Sequence, residues 1–322
     1  WVFVVLWGIN GWVQSLGSPC CVVGLSRWFT DKDRGSYYGF WSASHNIGEA
    51  LTFIATAFVV SIAGWRWGFE AAGLAGLVGA AIILLFLHDS PTSKGLVPVM
   101  PAKELGKSTG ATQLEVLKNP YIWILALSSA CMYISRYAIN SWGIFFLENE
   151  KAYTTIEASS IIGVSSVCGI IGTVLSGFLS DRFFKGSRNV PALLFGICNT
   201  IAVMLFVFVP KGYFALDIFS MILFGLSIGA LICYLGGMMA VDIAPKKASG
   251  AALGVVGIAS YIGAGIQDIL SGNLIGDSKT IVDGIVAYDF SSIRYFWIGA
   301  AALSFTLCAC LWKRTGGVKE KY

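Results

Sequence analysis

Long apolar runs separated by short polar breaks extend along nearly the whole chain. A helix that crosses a bilayer needs about 20 mostly apolar residues. Nine segments have that character: 1–28, 37–63, 68–87, 120–147, 157–180, 190–209, 213–240, 249–275 and 293–312. The longest polar stretch, 88–119, holds four lysines and three prolines and no long apolar run. It reads as a linker. The pattern therefore predicts an all-α membrane protein with three helices in 1–87, a linker over 88–119, and six helices followed by a polar tail in 120–322.

Composition narrows the class. Charged residues are 12% of the 322, against about 25% in soluble domains. Hydrophobic residues are 56% and the mean hydropathy is +0.73. A soluble protein of this size lacks the polar cover for so much apolar surface. The net charge of +4, with no basic patch among aromatics, gives no reason to expect nucleic acid as a partner. The eight cysteines all lie in apolar stretches without zinc spacing or a loop framework, so neither metal nor disulfides are expected. With two histidines and no GxSxG, HExxH or Walker motif, no enzyme site is expected, and no cofactor.

Basic residues in the loops set the orientation. Sixteen collect on one side, in the loops holding Arg27, Lys94, Arg182 and Lys246 and in the tail from Lys313, against five on the other. The richer side is expected to be cytoplasmic, placing the linker and C-terminus inside. A shift of 215 residues lays RGSYYGFWSASHNIGEAL over SGAALGVVGIASYIGAGI, matching Gly35 to Gly250, Gly39 to Gly254, Ile47 to Ile262 and Gly48 to Gly263. Two like-oriented halves follow from this repeat, as in transporters built from parallel repeats. The first half is then incomplete, with three helices against six.

Ionisable groups at membrane depth are costly unless paired or functional. Arg136 lies midway along the fourth segment, with Tyr133, Tyr137, Asn140 and Ser129 forming a polar stripe. Its planar fork suits a phosphate or a carboxylate; the alternative is an arginine locked in a salt bridge to Glu49 or Asp268. His45 and Glu49 stand four apart on one helical face beside Asn46. A histidine can donate to a phosphate oxygen and changes charge near neutral pH; the alternative is a histidine satisfied by a neighbouring helix. Glu49 and Asp268 are candidates for carrying a proton or balancing charge. Gly177, Asp181, Arg182, Gly186 and Arg188 fit G-x3-D-R-x3-G-x-R at a helix end. That pattern predicts close backbone approach and an ion-pair latch that rearranges as the halves rock; the alternative is an ordinary charged loop.

These motifs resemble the major facilitator superfamily, and within it the organophosphate:phosphate antiporters. The resemblance rests on NGWVQSLGSPCC at 10–21, RGSYYGFWSASHNIG at 34–48, HDSPTSKGL at 88–96, YISRYAINSW at 133–142, GFLSDRFFKGSR at 177–188 and DIAPKKASGAALGVVGIASYIG at 242–263. It implies two pseudo-symmetric bundles, the chain corresponding to helices 4–12 of twelve. It further implies alternating access in the cytoplasmic (inner) membrane and exchange of a phosphorylated sugar or glycerol phosphate for inorganic phosphate. Arg136 stands at the family's phosphate-gripping position, with His45, Tyr133 and Tyr261 at further family positions. The internal repeat lays Asn46 over Tyr261, so both are expected to face the pore. Ser165 or Ser166 stands where a glutamate is expected, Gly229 and Ala230 lie near an expected tyrosine, and Glu49 replaces a small residue. The INSWG segment leans toward hexose phosphates. The implied partners are the phosphorylated solute, inorganic phosphate and the bilayer, the protein acting as a monomer. Two alternatives stand beside this: a hexose-phosphate sensor with a signalling partner, and a proton-coupled carrier of another solute.

Overall fold

The computed structural model describes residues 1–30, 34–97, 110–184, 187–245, 248–282 and 285–312; within α3, the side chains of His45, Asn46 and Glu49 lie outside the described set. The helices are α1 (Val2–Gln14), α2 (Gly17–Trp28), α3 (Arg34–Ala63), α4 (Trp65–Phe86), α5 (Gly110–Lys118), α6 (Pro120–Lys151), α7 (Thr155–Phe183), α8 (Asn189–Phe208), α9 (Phe214–Cys233), α10 (Met239–Ile243), α11 (Ser249–Asp277) and α12 (Ser291–Cys310). A π-helical turn, Tyr234–Met238, joins α9 to α10. Among the described residues seven helices are long and apolar enough to cross a membrane, the Phe214–Ile243 run counting as one. The 30 residues of α3 extend about 45 Å, more than the hydrocarbon thickness.

Three features differ from the sequence pattern. The run 1–28 is two helices, interrupted between Gln14 and Gly17. Pro19 cannot donate to the carbonyl four residues back and crowds it, while the Ser15 hydroxyl donates to the Trp12 carbonyl at 2.6 Å, a local bond that bends helices. The polar stretch 88–119 contains a helix that its hydropathy does not show. Gly110–Lys118 is helical and packs on α6 and α11, with Val116 buried. Between α11 and α12 the chain forms a hairpin of β1 (Thr280–Val282) and β2 (Ile285–Ala287), antiparallel with Ile281 opposite Val286.

The core belongs to α6–α12. α6 packs on α11 and α12, α7 on α9, and α8 on α9 and α12. Small residues set the closest of these approaches: a β-carbon on Gly172, Gly225 or Gly229 would overlap backbone carbonyls of the facing helix. Close packing of this kind replaces the hydrophobic drive that lipid removes. By contrast α4 exposes apolar side chains around its circumference, among them Leu77, Leu84 and Phe86, as suits a helix solvated by lipid. α2 and α3 meet the larger group chiefly at one end, through α11 and α7. That end carries Arg27, Arg182 and Arg188.

Caps define the turn between α6 and α7. Ala152 takes the left-handed conformation, φ 57°, and Thr154 with Glu157 forms a reciprocal capping box. Here Lys151, one of the five basic residues assigned to the poorer side of the membrane, is 4% exposed. Its ammonium donates to Asp217 Oδ1 at 2.5 Å and to the Phe206 carbonyl at 2.7 Å. The Tyr153 hydroxyl donates to Asp217 Oδ2 at 2.8 Å. Lost solvation and the Asp217 carboxylate push the Tyr153 phenol up.

This cluster pins the ends of α6, α8 and α9. Breaking a buried pair by removing one partner costs about 3–5 kcal/mol, whereas apolar replacement of both is often neutral. Asp217→Asn is therefore expected to lower unfolding stability by about that amount, and Lys151→Met combined with Asp217→Leu to recover most of it. Denaturant melts of the detergent-solubilised protein measure both, and an unchanged midpoint for Asp217→Asn would contradict the assignment.

Candidate functional site

α6 starts where Asn119 caps the Tyr121 amide and Pro120 takes the first turn, and it carries Arg136 at its midpoint. Arg136 is 8% exposed. Its guanidinium lies 5.8 Å from the ring centroids of both Tyr133 and Tyr137. Tyr133 meets Tyr261 of α11 edge-on at 5.6 Å. One turn away, the Ser129 and Ser260 hydroxyls bond across the same helix pair at 2.7 Å. Aromatic faces favour a cation but do not neutralise it. Among the described residues no carboxylate pairs with Arg136. Asp268 is exposed on α11 and leaves Arg136 free, so that half of the salt-bridge alternative does not form. The other half, Glu49, lies outside the described side chains, as do His45 and Asn46; α3 carries all three.

Arg136 opens onto a cavity of about 650 Å³ between α6, α7 and α9. Asn140, one turn along α6, lines it beside Arg136, and α7 contributes Ser159, Ser165 and Ser166. Phe224, Gly225, Ile228 and Gly229 of α9 form the remaining wall, the two glycines letting α9 lie directly against α7. Tyr133 and Tyr261 are not lining residues; Tyr133 flanks the guanidinium together with Tyr137, and Tyr261 packs on Tyr133. Arg136 is the one charged side chain among the described lining residues. The arrangement offers a cation, an amide and hydroxyls to a small polar anion. Among the described residues no cluster could hold a metal.

The glycine–aspartate motif lies at the seam where α3 meets α7. Asp181 Oδ2 accepts from the Ser36 backbone N–H at 2.8 Å and from its hydroxyl at 3.1 Å. A carboxylate is favoured at the start of α3 by the helix dipole. Arg188 donates to Asp181 Oδ1 at 2.7 Å and to the Ser180 hydroxyl, and its Nε lies 3.7 Å from Asp242 Oδ2. Arg182, expected in the latch, is exposed and lies over Phe178 of its own helix. Successive helical residues diverge by about 100°, so Arg182 cannot share the face of Asp181. Gly186 lies outside the described residues. A β-carbon on Gly177 would overlap the Gly35 carbonyl, so α3 and α7 touch backbone to backbone.

Sequence reading missed a second seam contact. Tyr38 of α3, 5% exposed, sits where a side chain on Gly237 would be, within the π-helical turn. The adjacent Tyr234 hydroxyl donates to the Ser176 carbonyl at 2.6 Å, and Cys233 is buried beside it. The available signal was the Gly236–Gly237 pair inside an apolar run. Ser159 as a lining residue was also missed; its spacing of seven from Ser166 is the signal for a shared face.

Gly237→Ala is expected to unseat Tyr38 and loosen the seam. Alkylation of Cys233 by a membrane-permeant maleimide, followed on its peptide by mass spectrometry, should then run several-fold faster than in the unaltered protein. An unchanged rate would show that the seam does not depend on this seat.

Against known proteins, a model of the Major Facilitator Superfamily matches residues 1–267. The probable hexose phosphate transport protein of Chlamydia pneumoniae is 31% identical over 290 residues, covering 82% of this chain and 62% of that protein. The membrane sensor protein UhpC of Salmonella typhimurium is 30% identical over 279 residues, 83% and 63% respectively. The glycerol-3-phosphate transporter of Bacillus subtilis is 32% identical over 272 residues, 79% and 60%. The chain thus spans a little under two thirds of the length of these relatives. The solved structure of the E. coli fucose:proton symporter FucP matches with a TM-score of 0.63 at 13% identity, covering 92% of this chain and 72% of the other, a likeness of fold.

Proposed function

This chain belongs to the Major Facilitator Superfamily, and on that premise we propose that it exchanges a phosphorylated sugar for inorganic phosphate by alternating access. Hexose phosphate is the favoured substrate, glycerol 3-phosphate the next. The observation that carries the reading is Arg136: a mid-helix cation opening onto a cavity, with no carboxylate partner among the described residues. A phosphoryl group supplies the missing charge and accepts two parallel hydrogen bonds. Relatives named as hexose phosphate and glycerol-3-phosphate transporters support the substrate class.

In this reading the basic end faces the cytoplasm of an inner-membrane protein. Helices α1–α4 belong to one half of the transporter and α6–α12 to the other, the stretch between them lying inside. With the Asp181 latch closed, the cavity is reached from the outer side. Ligand draws the halves together because it stabilises the occluded state more than either open one. His45 and Asn46 on α3 contribute from the opposite half; Glu49 and Asp268 are available to balance charge.

The test is counterflow: labelled hexose 6-phosphate should enter phosphate-loaded proteoliposomes, and not empty ones. Arg136→Lys removes the fork and keeps the charge. The loss of a charge-assisted bond is about 1.5–3 kcal/mol, so exchange efficiency is expected to fall roughly 10- to 100-fold. Full exchange by Arg136→Lys would overturn the role of Arg136. A second reading, a sensor with the same site, is favoured by the UhpC relative; hexose-phosphate binding with no counterflow would select it.

A further inference from the structure

Along the middle of α7, from Ser159 to Ser176, the hydroxyls separate into two sets. Ser160, Ser165, Thr173 and Ser176 each donate to a carbonyl of the preceding turn at 2.7 Å. In an apolar surrounding this is how a hydroxyl avoids being left unsatisfied. Ser159 and Ser166 make no such bond and have no partner among the described residues, although a carbonyl stands three or four residues behind each. Asn140 on α6 is likewise without a partner. All three line the cavity that holds Arg136.

Their levels differ. α6 and α7 run antiparallel from the Ala152–Thr154 turn. Asn140 and Ser166 each stand eleven residues from the helix end at that turn, so they face the cavity at one depth. Arg136 lies four residues deeper, about 6 Å along the axis, and Ser159 about 10 Å nearer the turn than Ser166. A ligand with its phosphoryl group on Arg136 has its next few carbon atoms beside Asn140 and Ser166, and Ser159 beyond direct reach of a monosaccharide. The wall at that depth offers donors and acceptors and no charge, since Arg136 is the one charged side chain among the described lining residues.

We propose that Asn140 and Ser166 are the specificity-determining pair that reads the hydroxyl groups of the substrate's uncharged part. This rests on the phosphate-exchange reading above and adds what distinguishes the organic substrate from inorganic phosphate. An amide supplies both donor and acceptor, and an unbonded serine hydroxyl adds another of each. Inorganic phosphate, held at Arg136, has nothing to place there.

The experiment compares, in reconstituted protein, the exchange efficiency for hexose 6-phosphate with that for inorganic phosphate, taken as a ratio. Losing a hydrogen bond that strands its partner costs about tenfold, so Asn140→Leu and Ser166→Ala should each lower the ratio about tenfold. Ser160→Ala, altering the neighbour of Ser159 whose hydroxyl is already bonded to Ile156, should leave it unchanged and controls for folding. Arg136→Lys should depress both activities together. If both solutes exchange and neither Asn140→Leu nor Ser166→Ala moves the ratio beyond twofold, the specificity assignment is wrong while the phosphate reading stands. If the unaltered protein exchanges neither solute, the underlying reading fails and this assignment with it.

Discussion

A charged side chain deep in hydrocarbon must be neutralised, hydrated or left for a ligand, and this constraint organises the molecule. The two buried cations of α6 show both resolutions. Lys151 at its end is enclosed by an aspartate, a carbonyl and the rings of Phe146 and Phe206, so nothing is left for a solute. Arg136 at its middle has tyrosine rings behind it and a cavity in front. One helix therefore holds a finished interaction, which fixes its position, and a cation with no carboxylate partner among the described residues, which the proposed ligand would complete. The first makes the second usable, because an anchored helix keeps the guanidinium aimed at the cavity.

The seam between α3 and α7 obeys the same constraint with different means. Lipid gives helices no hydrophobic reason to associate, so contact depends on close backbones and satisfied polar groups. Gly35 and Gly177 provide the first, and Asp181 provides the second by accepting from both Ser36 and Arg188. A carboxylate shared between a helix start and an arginine can trade one partner for another at little cost. That is what the proposed alternating access requires of a contact made and broken in every cycle.

Much of this was legible in the chain. Apolar runs locate the membrane helices because twenty-residue lengths are imposed by the bilayer rather than by tertiary context. Arg136 stood out because a charge at that depth has few bland explanations. What stayed hidden depends on relations between distant residues. Nothing local says that Lys151 finds Asp217, or that Arg188 rather than Arg182 reaches Asp181; the first is set by packing of α8 and α9, the second by helical phase. The break before Gly17 was readable from Pro19, but a run of apolar residues masks it. The β-hairpin at 280–287 and the helix at 110–118 are too short for a hydropathy pattern to register. Tyr38 and Gly237 lie on helices far apart in the chain, and only the fold makes them neighbours.

The π-helical turn at Tyr234–Met238 has a consequence for how the last part of this span faces its surroundings. A turn that takes up one residue more than an α-helix does shifts every following side chain by about 100° around the axis. Upstream, Gly225 and Gly229 look toward α7 and the cavity; downstream, Met239 and Ala240 are buried where α10 meets α6 and α11. A continuous α-helix would carry a single stripe along its length and could serve only one of these neighbours. The extra residue acts as a phase change, letting one membrane crossing line the cavity along its first part and belong to the bundle's interior along its last.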